Sequence, residues 1–363
     1  MATLSPATSP KVVKRKGSVR RPRLYPPDSI EVHNAGLNSI RNFLKCHSCY
    51  DAFPVSFRLI VLDTKLNVMK ALQCLLLNGV VSAPLWNSSI SKFAGMLTVL
   101  DIIHLIQYYY HTASYDVAAA DVEHFRLESL REIEKELGVA QPPLLREHPM
   151  SSLYDAGKLL IQTHARRLPL LDNDSETGHE CTKDIQQLNQ SLRKLKIGTY
   201  VASPPGEPKE GPNPYYPLAT ASLDTAVFDV VHMFSERAIS AVPIIDEEGI
   251  VVNLYETVDV ITLVRLGAYQ SLDIKIRDAL TQRSPDFPGV VVCTASDSLG
   301  TLFQLVKKRR VHRLVVVEGE EEERQGGKKG RLLGMITLSD VLRYLIGNVD
   351  IPEVQEGEEE TKS

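Results

Sequence analysis

The chain has 363 residues, with 41 lysines and arginines against 45 aspartates and glutamates and a net charge of −4. Such a balance gives no general pull toward nucleic acid or an acidic membrane, and the length suffices for two domains with a sizeable buried core. Five scattered cysteines fit a reducing compartment, the N-terminus lacks an apolar signal core, and the apolar run Leu97 to Ile106 is broken by Asp101 and His104 and too short to span a bilayer, so a soluble intracellular protein is expected.

Residues 1–29 are rich in Ser, Pro, Lys and Arg and read as a disordered basic tail. Lys11, Lys14, Arg15, Lys16, Arg20, Arg21 and Arg23 have no acid among them, but a solvated tail is preferred over a nucleic-acid or nuclear-import role. Residues 30–58 form an N-terminal helix region, in which Ile40, Phe43 and Leu44 share one face of a helix from Ile30 to Leu44. Cys46, His47 and Cys49, with His33 upstream, lack the second ligand pair a zinc site needs and read as packing and helix-end residues.

In residues 59–115, Leu59-Ile60-Val61-Leu62 reads as a buried strand and Asp63 or Thr64 as the cap of an amphipathic helix over Leu66 to Leu77. Two short strands follow, Val81 to Trp86 and Gly95 to Thr98, and then a helix entered through Val99-Leu100-Asp101. Residues 116–147 are a linker with a charged helix from Arg126 to Leu137. Residues 148–196 start the same way, with a helical stretch Leu153 to Ile161 and Arg166-Arg167-Leu168-Pro169-Leu170-Leu171-Asp172. Asn173 to Asp184 is then polar without a strand period, so about one strand and one helix are missing.

Residues 197–217 link onward through a Pro- and Gly-dense insertion, Val201 to Pro217, which reads as an extended surface loop. Residues 218–272 repeat the pattern with Val227 to Phe234, Ile239 to Asp246 and Leu254-Tyr255-Glu256-Thr257-Val258-Asp259. Residues 273–347 repeat it again with Leu299 to Val306, Val311 to Val317 and Gly334 to Leu342, interrupted by a charged hairpin insertion from Glu320 to Lys329. Residues 348–363 are an acidic, disordered tail.

Four helix-strand units in near-register constitute an internal repeat. The first apolar helix residue precedes its strand residue by 18 positions in Leu66–Pro84 and by 16 in Leu153–Pro169, Val227–Pro243 and Leu299–Val315. In the fourth unit Arg313 opens a strand, Thr337 can cap a helix and Asp340 lies in its first turn. A cation and a carboxylate at the mouth of one small sheet suit the two ends of a nucleotide: Arg313 on phosphate, Asp340 accepting from the ribose hydroxyls. A lone aspartate there is more often a helix N-terminal residue favoured by the dipole, worth about 0.3–1 kcal/mol. Three at equivalent places, Asp101, Asp259 and Asp340, favour the binding role.

The units resemble CBS (cystathionine-β-synthase) motifs, and more closely the γ-subunit family of AMP-activated protein kinase with its fungal sucrose-nonfermenting branch. The stretches that carry the likeness are Cys49-Tyr50-Asp51, Ala83-Pro84-Leu85-Trp86, Gly95-Met96-Leu97-Thr98, Ala165-Arg166-Arg167-Leu168-Pro169, Ile197-Gly198-Thr199-Tyr200, Arg283-Ser284, Val311-His312-Arg313-Leu314 and Leu338-Ser339-Asp340, within Ile30 to Ile346. The resemblance implies an α/β (α+β) fold of four CBS motifs in two tandem pairs (Bateman modules), the second motif truncated. It implies AMP, ADP and ATP as ligands, a kinase catalytic α subunit and a β scaffold as partners, and a place in the cytoplasm and nucleus.

It also implies site residues: Thr98, Asp101, Arg166, Arg167, Thr199, Asp259, Arg283, His312, Arg313, Thr337, Ser339 and Asp340. Arg167 and Arg313, with Arg166 and His312 beside them, would face a central channel between the pairs, and Arg283 would reach phosphate. Two clefts are short of cations. Unit one has Val81 where many animal relatives place arginine, and unit three has Ala238 at the corresponding place with Arg237 one step away. The missing half of unit two would carry a further basic residue in the family; its loss would expose one side of the first pair's core. Arg313→Gln is expected to weaken nucleotide binding with little loss of stability, as a cleft residue would. No phosphate-binding glycine loop, kinase catalytic loop, nucleophile–base pair or metal cluster supports an enzyme or a catalytic cofactor. The alternative is an adenylate-binding CBS regulator of another metabolic enzyme or a transporter.

Overall fold

The structure, a computed structural model, describes residues 30–52, 59–112, 125–136, 145–163, 165, 167–170, 188, 190–201, 215–265, 273–283, 287 and 289–347. Both tails, Arg166, most of the proline-rich insertion and the polar stretch after Leu170 lie outside the described residues.

The third unit shows the pattern in its simplest form. Helix α7 (Val227–Glu236) leads into an antiparallel hairpin of β5 (Ala241–Ile245) and β6 (Val251–Glu256), and α8 (Thr257–Arg265) follows without a break. Val227, Val230, Val231 and Phe234 recur at helical spacing and are fully buried, which is why this stretch coils as a helix onto the sheet. Ala241, Val242, Pro243 and Ile244 are all buried, so β5 is covered on both faces and needs no polar alternation.

The first unit repeats the order with β1 (Leu62–Asp63), α2 (Val68–Leu77), β2 (Ser82–Asn87), β3 (Lys92–Thr98) and α3 (Val99–Thr112). The fourth does so with β7 (Val292–Thr294), α10 (Leu299–Arg309), β8 (Arg313–Val317), α11 (Glu320–Arg324), β9 (Leu332–Thr337) and α12 (Leu338–Ile346). Among the described residues the second unit contributes α5 (Leu153–Gln162) and a parallel bridge between Leu170 and Glu147, with no hairpin of its own.

Each unit is closed by a segment that bridges to the N-cap of its first helix. Asn67 bridges to Arg126, Ser152 to Ser48, Ala226 to Lys275 and Ser298 to Ser191. In units one and three the closing segment comes from just after the unit: α4 (Leu127–Glu136) and α9 (Ile276–Thr281). In units two and four it crosses over a whole unit. The end of α1 (Ile30–Cys46) closes unit two, and α6 (Leu192–Leu195) with β4 (Thr199–Tyr200) closes unit four, β4 pairing with β9. Gly198 makes this approach feasible: its φ is +102°, and a Cβ there would stand 2.5 Å from the Met335 carbonyl oxygen.

Three apolar clusters hold the units together. Leu72, Leu75, Ile103, Val230, Phe234 and Ile261 share one cluster, so the helices of units one and three pack together. Leu37, Leu192, Ile197, Leu299, Leu314 and Val341 form a second around unit four. Ala241, Leu254, Val315, Val317, Leu332 and Met335 form a third, the sheet-to-sheet seam of units three and four. Helix α5 lies on α12 at Gly157, where a Cβ would meet Ile346 Cδ1 at 2.7 Å.

Four local expectations are corrected. The strand expected over Leu59 to Leu62 is only Leu62–Asp63; Leu59 and Val61 are exposed while Ile60 packs on the core and Leu62 is buried, the alternation of an extended stretch with one face inward. Asn67, not Asp63 or Thr64, caps α2 by accepting from the Met69 amide, since Asp63 Oδ1 is engaged by the Lys65 amide. The insertion after Gly319 forms α11 rather than a hairpin. Its first turn is all glutamate, which the helix N-terminus favours, and Glu322 Oε2 accepts from the Gly319 amide. On α1 the buried residues are His33, Gly36 and Leu37; Phe43 is exposed and stacks on His47 at 4.0 Å.

Candidate functional site

The three repeated aspartates sit at one structural position, the third residue of the helix that leaves the hairpin. In each, Oδ2 accepts from the backbone amide of the residue that ends the strand: Asp101 from Thr98 at 2.5 Å, Asp259 from Glu256 at 2.8 Å, Asp340 from Thr337 at 2.8 Å. Thr337 returns the bond, its Oγ1 accepting from the Asp340 amide and donating to Asp340 Oδ2 at 2.7 Å, a capping box. One oxygen of every aspartate therefore serves the helix end, and any ligand role falls to the other.

That other oxygen separates the units. In unit three it is taken: Arg283 Nε donates to Asp259 Oδ1 at 2.8 Å and Nη2 to Oδ2 at 2.5 Å. Arg283 also donates to Asn253 Oδ1 at 3.0 Å and to the Leu254 carbonyl at 2.6 Å, and its plane lies 3.9 Å over Phe287. Both side chains are about nine-tenths buried. Arg283, expected to face phosphate, is thus spent on Asp259, because a bidentate guanidinium–carboxylate pair is the strongest partner a buried aspartate finds nearby. In unit four the residue equally placed after the closing bridge, eight beyond Ser191 as Arg283 is eight beyond Lys275, is Thr199. It brings no cation, and Asp340 Oδ1 has no protein donor among the described residues.

Arg313 starts β8, in register with Thr337. Its guanidinium reaches across the sheet seam within its own pair, donating to the Ser240 carbonyl at 2.9 Å and pairing with Glu256 Oε1 at 3.2 Å. Among the described residues the side-chain contacts of Arg313 are thus with unit three. Burial pushes the Glu256 carboxyl above its ordinary range, the Arg313 charge opposing this in part.

Of the remaining residues, Thr199 is buried, Thr98 and Thr337 are half-buried, and Arg167, His312 and Ser339 are exposed. The expected equivalence of Ala238 is also corrected. The Leu338 amide donates to the His312 carbonyl and the Thr257 amide to the Ser240 carbonyl, so Ser240 is the counterpart of His312. Arg237 closes a loop instead, donating to the Pro217 carbonyl at 2.7 Å. Glu256 is not among the residues that the sequence marks as candidates. Alignment of the three strand ends would have exposed it, since it stands where units one and four have Thr98 and Thr337.

A CBS domain model matches residues 214–265 and 286–347. The chain is 38% identical over 315 residues to the 5′-AMP-activated protein kinase subunit gamma of Saccharomyces cerevisiae, covering 85% of this chain and 93% of that one. It is 39% identical over 346 residues to the same subunit of Kluyveromyces lactis, covering 89% and 97%. Among solved structures, a Methanocaldococcus jannaschii protein described as a proposed archaeal homologue of γ-AMPK superposes with a TM-score of 0.53, covering 80% of this chain and 96% of that one; at 14% identity this likeness concerns the fold alone.

Proposed function

Because the chain belongs to the family of 5′-AMP-activated protein kinase γ subunits, we propose that it binds AMP, ADP and ATP at the strand-to-helix turns of its CBS units and passes adenylate status to a kinase. It is a regulatory subunit with CBS domains. The partners in this reading are a catalytic α subunit and a β scaffold; the complex works in cytoplasm and nucleus, and this chain contributes no chemistry of its own. Ligand binding biases the kinase only if the nucleotides bind its functional states with different affinities.

The observation that carries the reading is the Asp340 turn. Its carboxylate is held by Thr337 through one oxygen, its second oxygen has no described protein donor, and Thr199 and Ser339 lie on the elements beside it. A ribose offers two hydroxyl donors to such an acceptor. Calorimetric titration of AMP and ATP into this chain co-expressed with its α and β partners tests it. Saturable binding that Asp340→Ala weakens supports the reading; a folded complex that binds no adenylate overturns it.

A further inference from the structure

We propose that Glu256 is an internal ligand of Arg313, occupying the guanidinium that a bound phosphate would take, and so lowers the nucleotide affinity of the seam between units three and four. This rests on the nucleotide reading and names a residue that tunes it. Three observations lead here. Glu256 ends β6 where β3 ends in Thr98 and β9 in Thr337, so a carboxylate replaces a hydroxyl in one unit of three. The carboxylate does not point to solvent: Oε1 lies 3.2 Å from Arg313 Nη1, and the two side chains are 22% and 18% exposed.

The third observation is charge balance. Arg313 pairs with Glu256, and Arg283 pairs with Asp259. Asp259, Arg283 and His312 also act on Glu256 electrostatically. Two guanidinium groups and two carboxylates thus meet at one seam, and both cations assigned to phosphate from sequence are already neutralised by protein. An arriving phosphate gains Arg313 only by displacing Glu256, and the released carboxylate must find water or another donor. Breaking a buried pair is unfavourable, so the exchange subtracts from whatever the nucleotide gains elsewhere.

The test uses the full chain co-expressed with its kinase partners, titrated with AMP and with ATP. Glu256→Gln keeps shape and removes the charge; Glu256→Thr installs the residue of the other two units. Either is expected to tighten adenylate binding by about tenfold, one charge-assisted hydrogen bond no longer contested. The gain is expected to vanish when combined with Arg313→Gln, because the competition is then gone. If one variant fails to assemble, the other is read. Unchanged or weaker binding in an assembled variant overturns the role of Glu256 while leaving the nucleotide reading standing. Absence of binding in the wild-type complex and every variant overturns both.

Discussion

Units three and four are built from the same hairpin and carry the same aspartate on the same turn, yet the protein treats the two carboxylates oppositely. Asp259 is locked by a bidentate arginine from its closing segment. On the closing segment of unit four the equivalent place holds Thr199, which brings no cation to Asp340. Arg283 and Thr199 stand at the same distance from their bridges, so one substitution on a closing segment decides whether a turn is structural or open. A repeated scaffold therefore does not imply repeated sites.

The sharpest way to break this contrast is Arg283→Ala. It leaves Asp259 buried without its guanidinium, and loss of one partner from a buried pair costs about 3–5 kcal/mol. Urea denaturation of the complex is expected to show that loss, with Asp259→Asn in the same chain restoring part of it. A stability change under about 1 kcal/mol, the range of a surface pair, would return Arg283 to the ligand-facing role expected from sequence.

Arg313→Gln comes next. The expectation that it would spare stability does not hold for this geometry, because Arg313 is largely buried and satisfies both Glu256 and the Ser240 carbonyl. We expect a loss of about 2–4 kcal/mol, toward the lower end of buried-pair breakage because the pair keeps some solvent contact, together with weaker nucleotide binding. Asp340→Ala should behave differently. It removes one side of a capping box, about 1 kcal/mol of stability, yet it should reduce adenylate affinity at least tenfold by calorimetry, the equivalent of about 1.4 kcal/mol. A variant that loses the cap's stability yet binds adenylate as tightly as wild type would make Asp340 a cap and nothing more.

What the sequence showed and what it hid follow from range. Val227, Val230, Val231 and Phe234 announce a helix because burial repeats within ten residues, and the Thr337–Asp340 cap is three residues wide. The crossover of α1 onto unit two and of β4 onto unit four is carried by backbone bridges and a close approach at Gly198, which leave almost no pattern in residue type. The pairs Arg283–Asp259 and Arg313–Glu256 join elements from different units or linkers, and each member alone looks like a residue awaiting a ligand. Residue types located the turns; only the seam shows which charges are already matched.

The smallest expected effect concerns the far end of the helix that carries Asp340. On α8, next to Asp259, the buried residues Val260, Ile261 and Leu263 are all apolar. On α12, Tyr344 shares a 2.7 Å hydrogen bond with His33 Nε2 of α1, and Arg41 Nε donates to the neighbouring Leu345 carbonyl at 2.7 Å. His33 Nδ1 is buried without a partner among the described residues, and burial pulls the imidazole below its ordinary value, so it is neutral in the fold at pH 7. Above about pH 6.5, the value of a free histidine, folded and unfolded chains both hold it neutral and its contribution is complete. As pH falls from there toward the lowered folded value, the unfolded chain takes up the proton first and stability is lost. His33→Gln should therefore be less stable than wild type at pH 7.5, with the gap narrowing toward pH 5.5 in thermal melts of the assembled complex. A gap that stays constant would mean that His33 supports the α1–α12 contact through its Tyr344 hydrogen bond and packing alone, with no proton linkage.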